Sequence, residues 1–193
     1  MATVEIIVRV HDDLGNIIND IEKRTYQLEL PDSSFDSIEK ATTEFKNQAL
    51  PDIQADLLGK CQSDFIQKKD DNLRCNGTTP VTIKTLHGRF RFKLQRFTDV
   101  HYNRTTYFDL THQFMDGYVS NRLKEFSAFY SNRLSYEEIE DLLERTAGRK
   151  QLSDQTVRSI VVDKAIEVSN RSKSRALEIL GNDSLNFPVV NLR

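Results

Sequence analysis

The chain has 193 residues, of which 38% are hydrophobic, and a formal net charge of −2. A chain of this length and hydrophobic content can form one or two domains with a hydrophobic core, so the chain as a whole is not a disordered segment. No stretch reaches the ~18 continuous apolar residues of a membrane span. Residues 1–10 lack the basic and then apolar regions of a signal peptide, so we expect a cytoplasmic protein without a membrane partner.

Charge is distributed unevenly along the chain. Residues 1–73 contain 8 Lys and Arg against 15 Asp and Glu, whereas residues 74–104 contain 7 against 1. Residues 119–176 are nearly balanced, with 11 against 9. A pI near 6.1 argues against nucleic-acid binding over the whole surface, but a local basic segment can still bind phosphate.

The first 73 residues predict a β-hairpin followed by an acidic helix. Val4, Ile6 and Val8 alternate with mostly polar neighbours, and a second extended run ends at Leu30. Residues 31–34 then offer N-caps to a helix, which Pro51 should kink or restart. The apolar residues of this helix recur mostly every four positions and predict one buried face: Phe35, Ile38, Phe45, Ala49, Ile53, Leu57, Cys61 and Phe65.

A second hairpin is predicted after a domain boundary between residues 73 and 74. Residues 70–72 and 76–80 are rich in turn formers and predict a linker. Beyond them, apolar and polar residues alternate on both sides of a turn near residues 86–88, so one face is apolar and the other basic. Residues 98–118 predict a connecting segment with aromatic anchors: Tyr102, Tyr107, Phe108 and Phe114.

Three helices are predicted within residues 119–176, and the last two have the spacing of a helix-turn-helix. Ser135 and Glu138 form an S-x-x-E capping box, and Gly148 suits a left-handed C-cap. The next helix starts at Ser153, with apolar residues at helical spacing up to Val168, and a polar, basic stretch after residue 169 predicts its end. A plain αα-hairpin has the same pattern. The predicted fold class is therefore α+β, with a hairpin and long helix, a basic hairpin and a three-helix bundle.

The predicted DNA contacts fall on the basic hairpin and on the last helix. Asp154, Gln155, Arg158 and Ser159 should face bases. Ser153 and Thr156 should contact phosphate, and five cations should position the DNA backbone: Arg89, Arg91, Lys93, Arg149 and Lys150. Two alternatives remain open for the cations of the hairpin. They could simply face solvent, or they could pair with the acidic helix of residues 32–71. No metal ligand is predicted, because the cysteines and histidines lack ligand spacing. No catalytic residue is predicted, because the sequence shows no nucleophile–base pair.

Three motifs follow one another in the second half of the chain. They are VTIKTLHGRFRFK at residues 81–93, LSYEEIEDLLERTAG at 134–148 and LSDQTVR at 152–158. In this order they resemble the N-terminal half of a bacterial insertion-sequence transposase of the DDE, RNase H-like group. The resemblance covers about residues 80–170. It implies binding to the terminal inverted repeats of the element, association with self or full-length transposase subunits, and a nucleoid-associated location.

The catalytic part of that family lies beyond the three motifs. There an RNase H-like domain holds Mg²⁺ ions on three acidic residues for DNA cleavage and strand transfer. We expect residues 177–193 to be the truncated start of this domain, so this chain should lack catalysis and a cofactor of its own. Two alternatives are a DNA-binding regulator or transposition inhibitor that uses the same helices, and a protein-interaction module.

Overall fold

The computed structural model describes residues 2–8, 24–112, 114 and 117–180. Within them the protein is mixed α/β, with five helices, a two-stranded antiparallel pair and a three-stranded antiparallel sheet. The strands are β1 (Ala2–Val8), β2 (Arg24–Leu30), β3 (Arg74–Thr85), β4 (Gly88–Thr98) and β5 (Arg104–Thr106). The helices are α1 (Phe35–Lys68), α2 (Tyr107–Thr111), α3 (Asn121–Tyr130), α4 (Tyr136–Ala147) and α5 (Asp154–Leu180). The larger sheet has the order β3-β4-β5.

Strands β1 and β2 pair as their alternating residues predict. Val4 lies opposite Leu28 and Ile6 lies opposite Tyr26. The Tyr26 ring packs edge-on against Phe45 of α1, with ring centroids 5.4 Å apart. This contact attaches the strand pair to α1, while the expected turn at residues 12–16 lies outside the described residues.

Helix α1 is one continuous helix of 34 residues, so it does not restart at Pro51. Pro51 is buried next to Gly88, where an added Cβ atom would lie 2.7 Å from the proline Cγ. The absence of a side chain at Gly88 therefore lets the turn of the basic hairpin approach the middle of α1.

The buried face of α1 differs from the predicted one. Phe35 is 75% exposed, and Leu57 and Cys61 are also exposed, whereas Ala41 and Gln62 are buried. Four residues advance about 400° around an α-helix, so a long row with this step drifts by about 40° at each step away from a fixed face. The side chains that pack inward follow mixed spacings of three and four: Ala41, Phe45, Ala49, Ala55, Leu58, Gln62, Phe65 and Ile66.

One hydrophobic core joins α1 to the larger sheet and to α2. Its buried members are Ile83, Phe90, Phe92, Leu94, Phe97, Tyr107 and Phe108. From α1, Phe65 contacts Phe97 with ring centroids 5.8 Å apart. This core crosses the expected boundary between residues 73 and 74.

The segment expected to be a linker belongs to β3. Residues 76–80 lie within the strand, and the register shifts between Cys75 and Thr78, as in a β-bulge. Gly77 has a φ of 68° in this bulge. Pro80 is tolerated because β3 is an edge strand, where a missing N–H need not break a ladder. The turn-forming residues therefore lie in a strand of the larger sheet, at its bulge.

The connecting segment after β4 is only partly as expected. It contains β5 and α2, and Tyr107 and Phe108 are buried anchors. Phe114 packs against Phe108 with ring centroids 4.8 Å apart. Tyr102 is instead 85% exposed, because it lies in the tight turn between β4 and β5.

Gln62 of α1 supplies β4 with hydrogen bonds that a neighbouring strand would otherwise make. Its Nε2 donates to the Lys93 carbonyl at 3.0 Å, and its Oε1 accepts from the Gln95 amide at 2.8 Å. Buried main-chain groups must be satisfied, so this side chain fixes the position of α1 along β4.

A second core lies between α3, α4 and α5. Its buried members are Val119, Leu123, Ile139, Leu143, Leu152, Val157 and Ile160, and Leu86 of the basic hairpin packs against them. Helix α5 continues to Leu180, well past the end expected near residue 169. Ala165 and Val168, at the end of the apolar row predicted for this helix, are exposed because this core extends along α5 only as far as Val161.

Helix α1 also contacts the connection between α4 and α5. Lys46 Nζ donates to the Thr146 carbonyl at 2.8 Å, near the end of α4. Gly148 has a φ of 71°, and an added Cβ atom there would lie 2.8 Å from Asn47 Cγ. Gly148 thus meets two requirements at once, a left-handed backbone and close approach to α1.

We expect Gly148→Ala to destabilise the protein by about 1 kcal/mol more than Gly117→Ala. Both glycines have positive φ, but an added Cβ at Gly117 has no atom within 4 Å. The difference in urea unfolding free energy therefore reports the contact with Asn47. It should shrink in an Asn47→Ala background, and equal effects of the two glycine substitutions in the wild-type background would contradict this contact.

Candidate nucleic-acid interface

The outer face of the basic hairpin carries the three predicted cations. Arg89, Arg91 and Lys93 are exposed, and they alternate with the buried residues Phe90 and Phe92. Helix α1 packs on the opposite, apolar face of the sheet. None of the three cations forms an ion pair with any residue that the structure describes. Their charges are therefore available to an external anion.

The local signals at both ends of α4 are confirmed. Ser135 Oγ accepts from the Glu138 amide at 3.3 Å, and a Glu138 carboxylate oxygen accepts from the Ser135 amide at 2.7 Å. The hydrogen bond from the Ser135 amide holds the pKa of Glu138 below its ordinary value. Gly148 adopts the left-handed C-cap conformation. These two caps fix where α4 begins and ends.

The start of α5 presents its predicted base-facing residues to solvent. Asp154, Gln155, Arg158 and Ser159 are exposed, as the helical spacing predicts. Val157 lies between them in sequence and Ile160 follows Ser159, and both side chains point into the core. Ser153 and Thr156 are only partly buried, and their hydroxyl oxygens lie 2.9 Å apart. Ser153 Oγ also accepts from the Thr156 amide at 3.3 Å, so the Ser153 hydroxyl already caps α5 and the Thr156 hydroxyl is paired with it.

Glu140 connects α4 to the start of α5. One of its carboxylate oxygens forms an ion pair with Lys150, and the other accepts from the Asp154 amide at 2.7 Å. The hydrogen bond from Lys150 lowers the pKa of Glu140 and raises that of Lys150. A phosphate must therefore compete with Glu140 for Lys150. Arg149 is exposed and has no ion pair among the described residues.

A groove of about 660 Å³ joins the basic hairpin to α5. Lys84 lines it from β3, Lys124 from α3, and Thr156 and Ser159 from α5. Lys84 is also the cross-strand partner of Arg89. The groove thus begins beside the basic face of the hairpin and continues along the first turns of α5.

Lys84 is fixed in place by the main chain around it. Its amide donates to the Tyr118 carbonyl and its carbonyl accepts from the Ser120 amide, each at 2.9 Å. Sequence reasoning overlooked Lys84 as a candidate contact. The two-residue turn between Thr85 and Gly88 fixes the hairpin register, and that register could have placed Lys84 beside Arg89.

The far end of the groove is less basic than its start. Three acidic residues, Glu125, Asp163 and Glu167, also line the groove. Glu167 pairs with Lys164 at 2.6 Å and with Arg171 at 2.5 Å. The hydrogen bond from Lys164 lowers the pKa of Glu167. A polyanion would therefore meet its best charge complement near Lys84 and the first turns of α5.

Comparison with known proteins adds no family to this description. No protein-family model matches the chain, and no curated protein matches it. Across residues 2–8, 24–112, 114 and 117–180, no three His, Cys, Asp or Glu side chains are grouped to hold a metal ion. The helices in the same ranges include none with the length and apolar character needed to cross a membrane. The surface itself therefore carries the functional inference.

We expect Glu140→Gln to lower the melting temperature at neutral pH, and this effect should shrink as the pH falls below 4.5, the ordinary pKa of Glu. A lowered pKa in the folded state means that the carboxylate stabilises the fold above its unfolded-state pKa. That contribution is lost as the pH falls through the folded-state pKa. Melting curves followed by circular dichroism across this range measure the difference.

Asp141→Asn is the matched control for that titration, since Asp141 is exposed on the same helix. It should show no comparable change with pH. A melting difference for Glu140→Gln that stays constant over the whole range would contradict the role given to the Glu140–Lys150 pair.

Proposed function

We propose that this chain binds double-stranded DNA through two adjacent surfaces. One is the basic outer face of β3 and β4, and the other is the exposed start of α5, presented by α3, α4 and α5 as a helix-turn-helix. The groove that Lys84 and Ser159 share is the observation that carries this proposal. It places the cations of the hairpin next to the helix that would enter the DNA major groove, which is wide enough for an α-helix.

The electrostatics of the hairpin support a polyanionic partner. Three exposed cations lie on one face and have no intramolecular ion pair among the described residues. Exposed charges of this kind remain hydrated in the free protein. When they contact phosphates, they release counterions from the DNA, and this release increases the affinity of the protein for DNA. The acidic helix α1 lies on the other side of the sheet, where it would not repel the phosphates at close range.

The two surfaces would have different roles. Arg158, Gln155, Asp154 and Ser159 would face base edges from α5, where side-chain hydrogen bonds discriminate sequence. The hairpin cations and Arg149 would contact the backbone and set the position of the protein without reading sequence. Lys150 would join them by exchanging Glu140 for a phosphate, while Ser153 and Thr156 would contribute chiefly by fixing the start of α5.

We further propose that this DNA-binding unit is the N-terminal portion of an insertion-sequence transposase that recognises the terminal inverted repeats. The three motifs behind this resemblance lie on β3 and β4, on α4 and its caps, and on the start of α5. These are the elements that build the proposed surface, which supports reading the motifs as one functional unit. Cleavage and Mg²⁺ binding would then belong to an RNase H-like domain, and a transposition inhibitor would use the same DNA contacts.

Exposed apolar side chains on α5 favour a second candidate function, a protein-interaction module. Val162, Ile166, Val168 and Leu177 are between 47% and 65% exposed. Exposed apolar side chains that cluster on one element are a feature of protein-binding surfaces. Self-association in sedimentation experiments, together with the absence of salt-dependent DNA binding, would favour this function over the first.

Single substitutions should separate base reading from backbone contact. Duplexes selected from a random pool by the wild-type chain provide the specific site, and fluorescence anisotropy compares them with random duplexes. Arg158→Ala should cost about 1–3 kcal/mol of discrimination between the two. Lys93→Ala should weaken binding to all duplexes alike and lower the salt slope by about one.

Lys40→Ala is the control, because Lys40 is exposed on α1 and lies outside the proposed surface. It should leave both the discrimination and the salt slope unchanged. If the wild-type chain selects no sequence from the pool, the base-reading role of α5 is wrong. If it binds no duplex at low salt, the whole proposal fails.

A further inference from the structure

Three more arginines lie on the outer face of the sheet, at the end far from α5. Phe97 is fully buried in the core, so its chain neighbours Arg96 and Thr98 point to the opposite, outer side. Thr98 pairs with Arg74 of β3 on one side and with Arg104 of β5 on the other. Cross-strand partners share a face, and all three arginines are exposed. We call Arg74, Arg96 and Arg104 the distal cluster.

A shift in the alternation of β4 brings the distal cluster onto the same face as the hairpin cations. Phe92 and Leu94 point into the core, and strict alternation would turn Phe97 outward. The alternation breaks because two consecutive residues, Leu94 and Gln95, are both buried. Gln95 Nε2 donates to the Gly77 carbonyl, in the bulge of β3, at 3.0 Å. The alternation therefore resumes one residue later, with Arg96 outward and Phe97 inward.

The outer face then has an almost uniform charge. All seven Lys and Arg residues of segment 74–104 are on it or at its border: Arg74, Lys84, Arg89, Arg91, Lys93, Arg96 and Arg104. The only acidic residue of this segment is Asp99, in the turn between β4 and β5. Its carboxylate accepts hydrogen bonds from the His101 amide, the Asn103 amide and Asn103 Nδ2, each at 2.8 Å. Asp99 thus organises the turn that carries the chain from Thr98 to Arg104.

The length of this face matches an extended ligand better than a small anion. Arg89 and Thr98 are nine residues apart, which corresponds to about 30 Å along a strand. One turn of B-form DNA is about 34 Å long. The cations are spread along the sheet and do not converge in a pocket, as they would for a single phosphate.

We propose that the distal cluster binds backbone phosphates of the same DNA duplex, about one helical turn from the contact made by α5. This inference rests on the proposed function and extends it, because it sets the length of duplex that the protein needs. A short duplex should reach only α5 and the near end of the hairpin. A longer one should engage the distal cluster and gain affinity and salt dependence.

The test compares the wild-type chain with the triple variant R74Q/R96Q/R104Q on two duplexes that share the selected site. One is about 12 bp long and the other extends about 12 bp further on each side. Fluorescence anisotropy over a range of NaCl concentrations gives the salt slope for each. The triple variant should lower the slope by about two to three on the long duplex only, given about 0.9 for each lost phosphate contact.

A matched variant, K40Q/K68Q/R133Q, removes the same charge from exposed positions outside this face. It should behave like the wild type on both duplexes. The single variant R104Q should lower the salt slope on the long duplex by about one. It replaces the triple variant in this test if the triple variant shows an altered circular dichroism spectrum.

The remaining outcomes separate the two proposals. No duplex binding by the wild type would overturn the proposed function. Sequence-selective binding that is the same for the wild type and the triple variant on the long duplex would overturn only the role of the distal cluster. A third outcome would also overturn the inference: the triple variant binds DNA as tightly as the wild type does, but it no longer binds poly-L-glutamate. That result would assign the distal cluster to an acidic protein segment.

Discussion

The packing of α1 against the larger sheet is the interaction on which the rest of the structure depends. Gln62 supplies the hydrogen bonds that hold α1 beside β4, and Pro51 meets Gly88 at the hairpin turn. Lys46 extends the same support to the end of α4. One helix therefore fixes both the basic hairpin and the connection that precedes α5, so the two candidate DNA-binding surfaces share a common support.

This packing also determines where charge is exposed. Because the apolar face of β4 is covered by α1, the alternation of the strand leaves its cations facing away from the acidic helix. The net charge of −2 conceals this separation. A protein without an overall basic character can therefore present a strongly basic face, and the affinity of such a face for DNA depends on local charge density rather than on the total.

Local signals were predictable from the sequence, whereas contacts between distant segments were not. The capping box at Ser135, the left-handed cap at Gly148 and the hairpin turn all depend on neighbouring residues, and each is confirmed. The inward face of α1 and the strand formed by residues 76–80 depend on what packs against them. Gln62 could not be recognised, because its role comes from two main-chain groups of β4, more than 30 positions away. The distal cluster was missed for a similar reason, since a bulge changes the alternation of β4.

Nuclear magnetic resonance mapping of the ¹⁵N-labelled chain with a saturating selected duplex tests the central claim most directly. We predict that the amide signals which shift most belong to residues 89–93 and 153–159, while those of residues 36–44 on α1 remain unchanged. Shifts confined to α1 and β2, or to residues 162–177 of α5, would contradict the claim that the basic hairpin and the start of α5 form one DNA-binding surface.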